Sequence, residues 1–389
     1  MLACTIYFHY TSLGKGIITA MQDKFRKLDG TTLEYPLFFP DATRGEVRQL
    51  SFEDVKNVGL PGILVNTFHL LRLVGTEKTE SAGGIHKYLD WDGAMISDSG
   101  GFQVMSIAKK SFGSAQDLRG GDTNPVTDEG VTFTLDGVDH HFSPEDSIKY
   151  QMAMRTDLMV VLDDFTPPDA TYEEAVVTVE RTTQWAKRCK ATYLAECERL
   201  GILEDKRPYL IGVVQGGEFE DLRLKSIKEL TEIGFEGYGY GGFPVKNGKF
   251  DEEMAKFLAN NLPKDTLLYG LGIGKPDDIV KCVNCGWQIF DCVLPTRDAR
   301  HGRLYVYTAA TMEKINVQDD GFYEFYNPRQ AKHLEENIPV STACDCELCT
   351  TLTRAELATM WRERDERVLR LATIHNLRFY AILMEKLKN

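Results

Sequence analysis

Several short apolar runs end on side chains that can do chemistry. Asp98 closes AMISD, Asp163 and Asp164 close LMVVLDD, Gln215 follows YLIGVV, and Asp291 lies in QIFDCVLP. Carboxylates converging on a site with few neighbouring cations suit sugar chemistry. One can attack an anomeric carbon while another gives and takes protons. Gln215 and the glycine backbone at Gly216, Gly217, Gly241 and Gly242 suit flat hydrogen bonding to an amide-like or purine edge. A single Asp after a strand is often only a helix cap, and Asp164 is read as that or as a support for its neighbour. Capping explains the set less well, because at least three strand ends share the pattern.

A second group is Cys344-x-Cys346-x-x-Cys349, with His375 after 25 intervening residues. Three thiolates and one imidazole make a closed tetrahedral Zn²⁺ site with no open position for catalysis. Such a zinc is structural, tying an irregular segment to a terminal helix. The alternative is three free thiols beside a core histidine, and the crowding of three cysteines into six residues counts against it. Cys282-x-x-Cys285, with Cys292 nearby, could be a redox pair. Core packing is the better reading, since the pair falls on a helix that closes at Gly286. Gly270 to Pro276 resembles a phosphate loop but lacks the Ser/Thr after Gly-Lys, so no nucleotide cofactor is expected.

Eight apolar runs must position these groups. They occupy 35–42, 62–70, 94–100, 158–165, 209–217, 237–243, 266–273 and 288–295. Nearly continuous apolar character marks strands buried on both faces of a parallel sheet. Helical spacing separates them at SFEDVKNVG, at Ala170 to Arg199, at 218–234, at 251–261 and at PDDIVKCVNCG. The spacing predicts an α/β protein, a (β/α)₈ TIM barrel of about the usual length, with side chains at the C-terminal strand ends sharing one mouth. An open doubly wound sheet is the alternative. The interval 101–157 is too long for one crossover, so a hairpin, GVTFTLDGVDHHF, is expected after strand 3, before a helix opening at Ser143-Pro144. The Gly-, Asp- and Asn-rich stretch 111–130 reads as a mobile loop. Residues 296–350 look irregular, and 353–387 read as one long charged amphipathic helix. The expected division is a barrel over 1–304 with an N-terminal extension, then a zinc-binding subdomain over 305–389 packed on it.

The chain has 389 residues and a net charge of −13. That balance argues against indiscriminate coating of nucleic acid or membrane. It hides an asymmetry: Arg354 to Asn389 holds eight basic and five acidic residues. The start, MLACTIYFHYTSLGKG, lacks a signal-peptide pattern, and no run approaches a membrane span. With nine cysteines, three of them clustered, the expectation is free thiols and metal ligands in a reducing cytoplasm.

The ordered motifs SDSGGFQVMS (97–106), VVQGG (213–217), YGGF (240–243), GIGKPDD (272–278), FDCVLPTR (290–297) and CDCELC with His375 resemble those of the tRNA-guanine transglycosylase family. The likeness runs from about residue 35 to about residue 380, and several long motifs in order are highly specific. It implies a (β/α)₈ barrel with a zinc subdomain. It implies exchange of the wobble guanine in tRNAs with a GUN anticodon for a 7-deazaguanine, queuine or preQ1, without cutting the chain. By resemblance, Asp291 is the nucleophile that forms a covalent ribosyl–RNA intermediate, and Asp98 is the general acid/base. Phe102 stacks on the base. Asp163, Gln215 and the Gly242 backbone read its edge, and Tyr269 lies near the ribose. Arg297 and Arg300 hold the anticodon loop. A cytoplasmic homodimer is also implied.

The chain departs from the family after Gly242. Bacterial members usually continue with Leu-Ala-Val-Gly-Glu, and this chain reads Phe243-Pro244-Val245-Lys246-Asn247. LDDF (162–165) and TRDARHG (296–302) are more similar to eukaryotic queuine-using members, whereas Val245 suits the smaller preQ1 pocket. Queuine and preQ1 both stay open. Three other readings compete: a non-catalytic tRNA-binding subunit of a heteromeric enzyme, a DNA-directed relative, and a barrel glycoside hydrolase. Retention of Asp98 and Asp291 opposes the first. The zinc motif and PTR segment favour RNA over the second. Only four Trp for sugar stacking oppose the third.

Overall fold

The structure, a computed structural model, describes residues 24–112, 125–246 and 248–388. Eight parallel strands form its centre: β1 (Leu37–Pro40), β2 (Gly62–Val65), β3 (Ala94–Ser97), β4 (Leu158–Val160), β5 (Tyr209–Val214), β6 (Gly237–Tyr240), β7 (Leu267–Gly270) and β8 (Ile289–Cys292). Each of the eight predicted runs holds one of them. Their order around the sheet is β1-β8-β7-β6-β5-β4-β3-β2. The ring closes between β1 and β2 through a parallel bridge of Asp41 with Leu64, where the Ala42 N–H donates to the Leu64 carbonyl at 2.7 Å. Closure excludes the open doubly wound sheet. All six residues of β5 are buried, as expected where helices cover one face and barrel-filling side chains the other.

Local sequence sets the helix starts. Ser51 with Asp54, Ser143 with Asp146 and Thr171 with Glu174 each form a reciprocal capping box that satisfies two orphan N–H groups. The helix predicted from Ala170 runs over Tyr172–Arg199. The inserted hairpin pairs Val131–Leu135 with Val138–Phe142, after β3 as predicted. Residues 113–124 of the stretch read as a mobile loop lie outside the described residues. A second hairpin, Lys24–Arg26 with Thr32–Glu34, closes the N-terminal mouth, where buried Phe25 packs on the Tyr209 ring and the Leu28 N–H donates to Asp157 at 2.7 Å.

The C-terminal region differs from expectation in two ways. The single helix predicted over 353–387 is two helices, Arg354–Glu363 and Arg367–Leu387. Arg364 takes the left-handed conformation, φ 58°, and its N–H caps the carbonyls of Met360 and Trp361. The physical cause lies in Arg362 to Arg367, six consecutive charged residues with no apolar group to pack. The interval 296–350 also holds regular structure, including an antiparallel ribbon of Leu304–Tyr307 with Tyr323–Tyr326. Leu304–Tyr307 is buried throughout, so it shows no alternation from which to read a strand. The terminal helix Arg367–Leu387 packs against β1 and between the helices Pro276–Asn284 and Phe52–Asn57. It therefore fills the eighth place in the outer ring, with Tyr380 against Phe38 of β1 at 4.6 Å. Among the described residues no helix is long and apolar enough to cross a membrane.

Candidate active site

The C-terminal strand ends open into a cleft of about 540 Å³. Asp98, Phe102, Asp163, Gly242, Tyr269, Asp291 and Arg297 all line it, so seven of the nine predicted catalytic and substrate-contacting residues meet there. A volume of this size suits a small organic ligand such as a nucleoside.

Asp98 follows β3 and is held by three donors. Asn66 Nδ2 donates to Oδ2 at 2.5 Å, and the N–H groups of Thr67 and Gly100 donate to Oδ1 at 3.1 and 3.0 Å. Burial pushes its carboxyl up to about 7, against the pull of those donors, and the nearby charge of Asp291 adds to the rise. A carboxyl poised there can both give and take a proton near neutral pH. Asp291 is raised to about 6, again by burial, with the Gly272 N–H and the Tyr269 hydroxyl opposing. It is ionised at neutral pH and available as a nucleophile. Asp163 rises to about 7 through burial, opposed by the Gln215 amide. Three carboxyls sharing one cleft, with different partners, fit acid/base and nucleophilic work at neighbouring atoms.

Gln215 does not line the cleft. It is fully buried behind Asp163, donates Nε2 to Asp163 Oδ2 at 2.7 Å, and accepts the Thr166 N–H at 3.2 Å. Its amide is thereby fixed in orientation. The end of β6 presses against it: a Cβ on Gly241 would lie 2.7 Å from Gln215 Nε2 and 2.6 Å from the Val214 carbonyl. Only glycine allows that approach. Asp164 turns away from the cleft and pairs with Arg181 at 2.6 Å, the supporting role expected of it.

Phe102 is 60% exposed at the mouth. It meets Phe165 edge to face at 5.9 Å, and Phe165 meets Phe243 at 5.0 Å. Arg297 is exposed on the cleft wall, whereas Arg300 is half-buried outside the lining. Burial and the charges of Arg48 and Arg297 lower the Arg300 guanidinium, so these cations lie close together. The arginines of the last two helices behave differently. Arg354, Arg367, Arg370 and Arg378 all join carboxylates in ion pairs. Four of the eight basic residues read there are thus ion-paired, whereas Arg48, Arg297 and Arg300 join no ion pair within 4 Å among the described residues.

Four residues at the site went unread in the sequence. Asn66 and Thr67 orient Asp98. Asp41, after β1, lines the cleft and accepts the Thr43 hydroxyl. Arg223 is 1% exposed and clamps three backbone carbonyls: Gly217 at 2.9 Å, Val214 at 2.5 Å and Gly241 at 3.0 Å. Burial lowers its guanidinium to about 10, so it stays charged at neutral pH. Its signal was weak: an arginine on an amphipathic helix reads as surface.

Away from the cleft, Cys344, Cys346, Cys349 and His375 bring their ligand atoms within 4.8 Å of one another. His375 Nδ1 faces Cys349 Sγ at 3.2 Å and Cys346 Sγ at 3.5 Å, while Nε2 meets the Tyr305 carbonyl at 2.7 Å. That outer contact orients the ring so that Nδ1 is the free ligand atom. The cluster can hold a metal ion, and its donor set fits tetrahedral coordination. Cys282 is buried on the helix Pro276–Asn284, Cys285 is half-buried at its C-cap, and burial raises both thiols, as core packing predicts.

The family model described as Queuine tRNA-ribosyltransferase matches residues 24–389. A relative from Acinetobacter baumannii (strain SDF), named Queuine tRNA-ribosyltransferase, is 37% identical over 93% of this chain and 88% of its own length. Relatives of the same name from Symbiobacterium thermophilum and Pelotomaculum thermopropionicum are 37% and 36% identical, over 92% of this chain in both cases and 80% and 87% of their own lengths. A match of this extent, over a barrel whose cleft gathers carboxyls suited to sugar chemistry, shows that the chain belongs to the queuine tRNA-ribosyltransferase family of pentosyltransferases.

Proposed function

We propose that the protein exchanges the wobble guanine of GUN-anticodon tRNAs for a 7-deazaguanine, queuine or preQ1, by two displacements at ribose C1′. The observation that carries this reading is the pairing of Asp98 and Asp291 in one cleft, each raised toward neutrality by burial yet held by different donors. Asp291 attacks C1′ and the C1′–N9 bond breaks. The electron pair leaves with guanine, which takes a proton from Asp98. The ribose is then esterified to Asp291. Asp98 next removes the proton from N9 of the incoming base, which displaces the carboxylate. Two inversions give net retention.

Asp163 and the Gly242 backbone read the purine edge, with Gln215 fixing Asp163 from behind. Phe102 stacks on the base, which leaves its own stack at a cost of a few kcal/mol. Arg297 and Arg300 receive the anticodon-loop phosphates. Zn²⁺ held by Cys344, Cys346, Cys349 and His375 supplies structural cross-linking of the C-terminal segment. His375 contributes Nδ1, while its contact with Tyr305 fixes the ring.

The test is competition of queuine, preQ1 and guanine for exchange into a GUN-anticodon tRNA, with Asp291→Asn as the control. Asp291→Asn should form no covalent RNA adduct while still binding tRNA. Full exchange of radiolabelled guanine by that variant would remove Asp291 from the nucleophile's role.

A further inference from the structure

Asp41 is a carboxylate in the cleft that the two-displacement mechanism leaves unused. β1 and β8 pair in register with Asp291 opposite Phe39 and Cys292 opposite Pro40. Side chains two residues apart on a strand share a face. Asp41 is therefore the diagonal neighbour of Asp291 on the inward face, one pleat nearer the mouth. Both line the same cleft. Asp41 Oδ1 accepts the Thr43 hydroxyl, and Oδ2 has no hydrogen-bond donor among the described residues. The charge of Asp41 also raises the Asp291 carboxyl, a cost to the nucleophile that an apolar side chain at this position would avoid.

The two flanks of Asp291 differ in chemistry. The β7 flank presents donors, the Tyr269 hydroxyl and the Gly272 N–H, both already committed to Asp291 Oδ1. The β1 flank presents an acceptor, Asp41. A ribose under attack at C1′ carries a hydroxyl on the adjacent C2′, and that hydroxyl is a donor in need of an acceptor. We propose that Asp41 accepts a hydrogen bond from the 2′-hydroxyl of the target ribonucleotide, selecting RNA over DNA and favouring the transition state. The 2′-hydroxyl is the group that distinguishes the two sugars at a single site. A carboxylate drawing on its proton leaves more electron density on O2′ as positive charge develops at C1′, so the bond strengthens in the transition state.

The inference rests on the base-exchange reading, and one experiment separates the two. Guanine exchange is measured on an anticodon-stem minihelix carrying either guanosine or 2′-deoxyguanosine at the target position. The wild type and Asp41→Ala are compared at about pH 8, where Asp291 is ionised in both. With guanosine, Asp41→Ala should lower kcat by roughly 10- to 100-fold and change KM by less than about threefold, the loss expected for a charge-assisted hydrogen bond. With 2′-deoxyguanosine, the wild type should already be slow, and Asp41→Ala should change kcat by less than about threefold, as a double-mutant cycle on one contact requires. Equal losses on both sugars, or none on either, would overturn the proposal. If Asp41→Ala does not fold, Asp41→Asn keeps the shape and the Thr43 acceptor. It should show a smaller loss that is still confined to the ribose substrate. Failure of the wild type to exchange guanine on the all-ribose minihelix overturns the base-exchange reading, and this inference with it.

Discussion

Tyr269 donates its hydroxyl hydrogen to Oδ1 of Asp291 at 2.8 Å, and the Gly272 N–H donates to the same oxygen at 2.9 Å. One carboxylate oxygen is thereby fixed by two donors from β7 and the loop after it. Burial holds the Tyr269 phenol well above its ordinary range, so it remains a donor at any working pH. The arrangement orients the Asp291 carboxylate and counters the burial that drives it upward.

Tyr269→Phe should therefore act through Asp291. Loss of a donor that lowers the Asp291 carboxyl moves it above about 6, and the acid limb of kcat/KM moves to higher pH with it. Exchange at neutral pH should fall roughly tenfold, about what one hydrogen bond to a charged group contributes. A pH–rate profile on guanine exchange checks this. An acid limb that stays in place would mean that the phenol does not govern the ionisation of Asp291.

Asp163→Asn tests whether the cleft is strained by its own charge. The Asp163 carboxyl is raised from 3.8 to about 7 in the folded protein, chiefly by burial. A raised group contributes stability that is fully present below its unfolded value and lost as pH rises through the folded one. Its charge thus weakens the fold progressively from about pH 4 to about pH 7, and by a constant amount above. Asparagine keeps an oxygen for the Gln215 amide and carries no charge. The variant should melt higher than the wild type at about pH 8, on the order of 2 °C or more, with a smaller gain at about pH 5. Guanine exchange should drop at the same time. A melting difference independent of pH would dissociate the stability effect from ionisation.

The metal cluster predicts a separate failure. Cys346→Ser replaces one thiolate with a hydroxyl, a poor zinc ligand, and leaves Cys344, Cys349 and His375 an incomplete set. Bound zinc per chain should fall well below the wild type, and proteolysis should cut first between Val340 and Arg367. A chelator should produce the same cleavage in the wild type. Unchanged zinc content in Cys346→Ser would count against the site.

Much of this was legible in the sequence, for identifiable reasons. Most barrel strands are nearly continuous apolar runs; Asp98, Asp163 and Gln215 follow or end theirs and Asp291 lies near the end of its strand, where a barrel gathers its side chains. The cluster of Cys344, Cys346, Cys349 and His375 was legible because metal chemistry fixes the residue types and the short spacing fixes the proximity of the three cysteines. What stayed hidden depends on long-range contact. Asn66 reads as an ordinary helix cap and does cap Thr67–Leu73, yet its amide also holds Asp98, 32 positions on. The ribbon at Leu304–Tyr307 is buried by the terminal helix, through Tyr307 stacked on Phe379 at 4.2 Å, which no local pattern encodes. Arg223 was hidden by its own helix, since only the fold reveals that its side chain points inward.

Arg223 gives the last prediction. Its guanidinium ties the end of β5, the loop beyond it and the end of β6 through the carbonyls of Val214, Gly217 and Gly241. These are the segments that hold Gln215 and Gly242, so on the proposed reading the arginine would act on base recognition without touching the base. It also lies over the Tyr240 ring at 5.2 Å, which fixes the plane of the fork. Arg223→Met keeps the stem and takes the side-chain donor from the carbonyls of Gly217 and Gly241, at about 1–3 kcal/mol for each that water cannot reach, while the Val214 carbonyl keeps the Gly241 N–H at 3.0 Å. Arg223→Lys keeps the charge but reaches fewer carbonyls. If the residue positions the reading groups, Arg223→Lys should fold with near-normal melting. Its KM for guanine should rise roughly tenfold, while its affinity for tRNA should change by less than about twofold. Arg223→Met should melt lower and lose more. Equal KM values for guanine in the wild type and a folded Arg223→Lys would leave the clamp a purely structural tie.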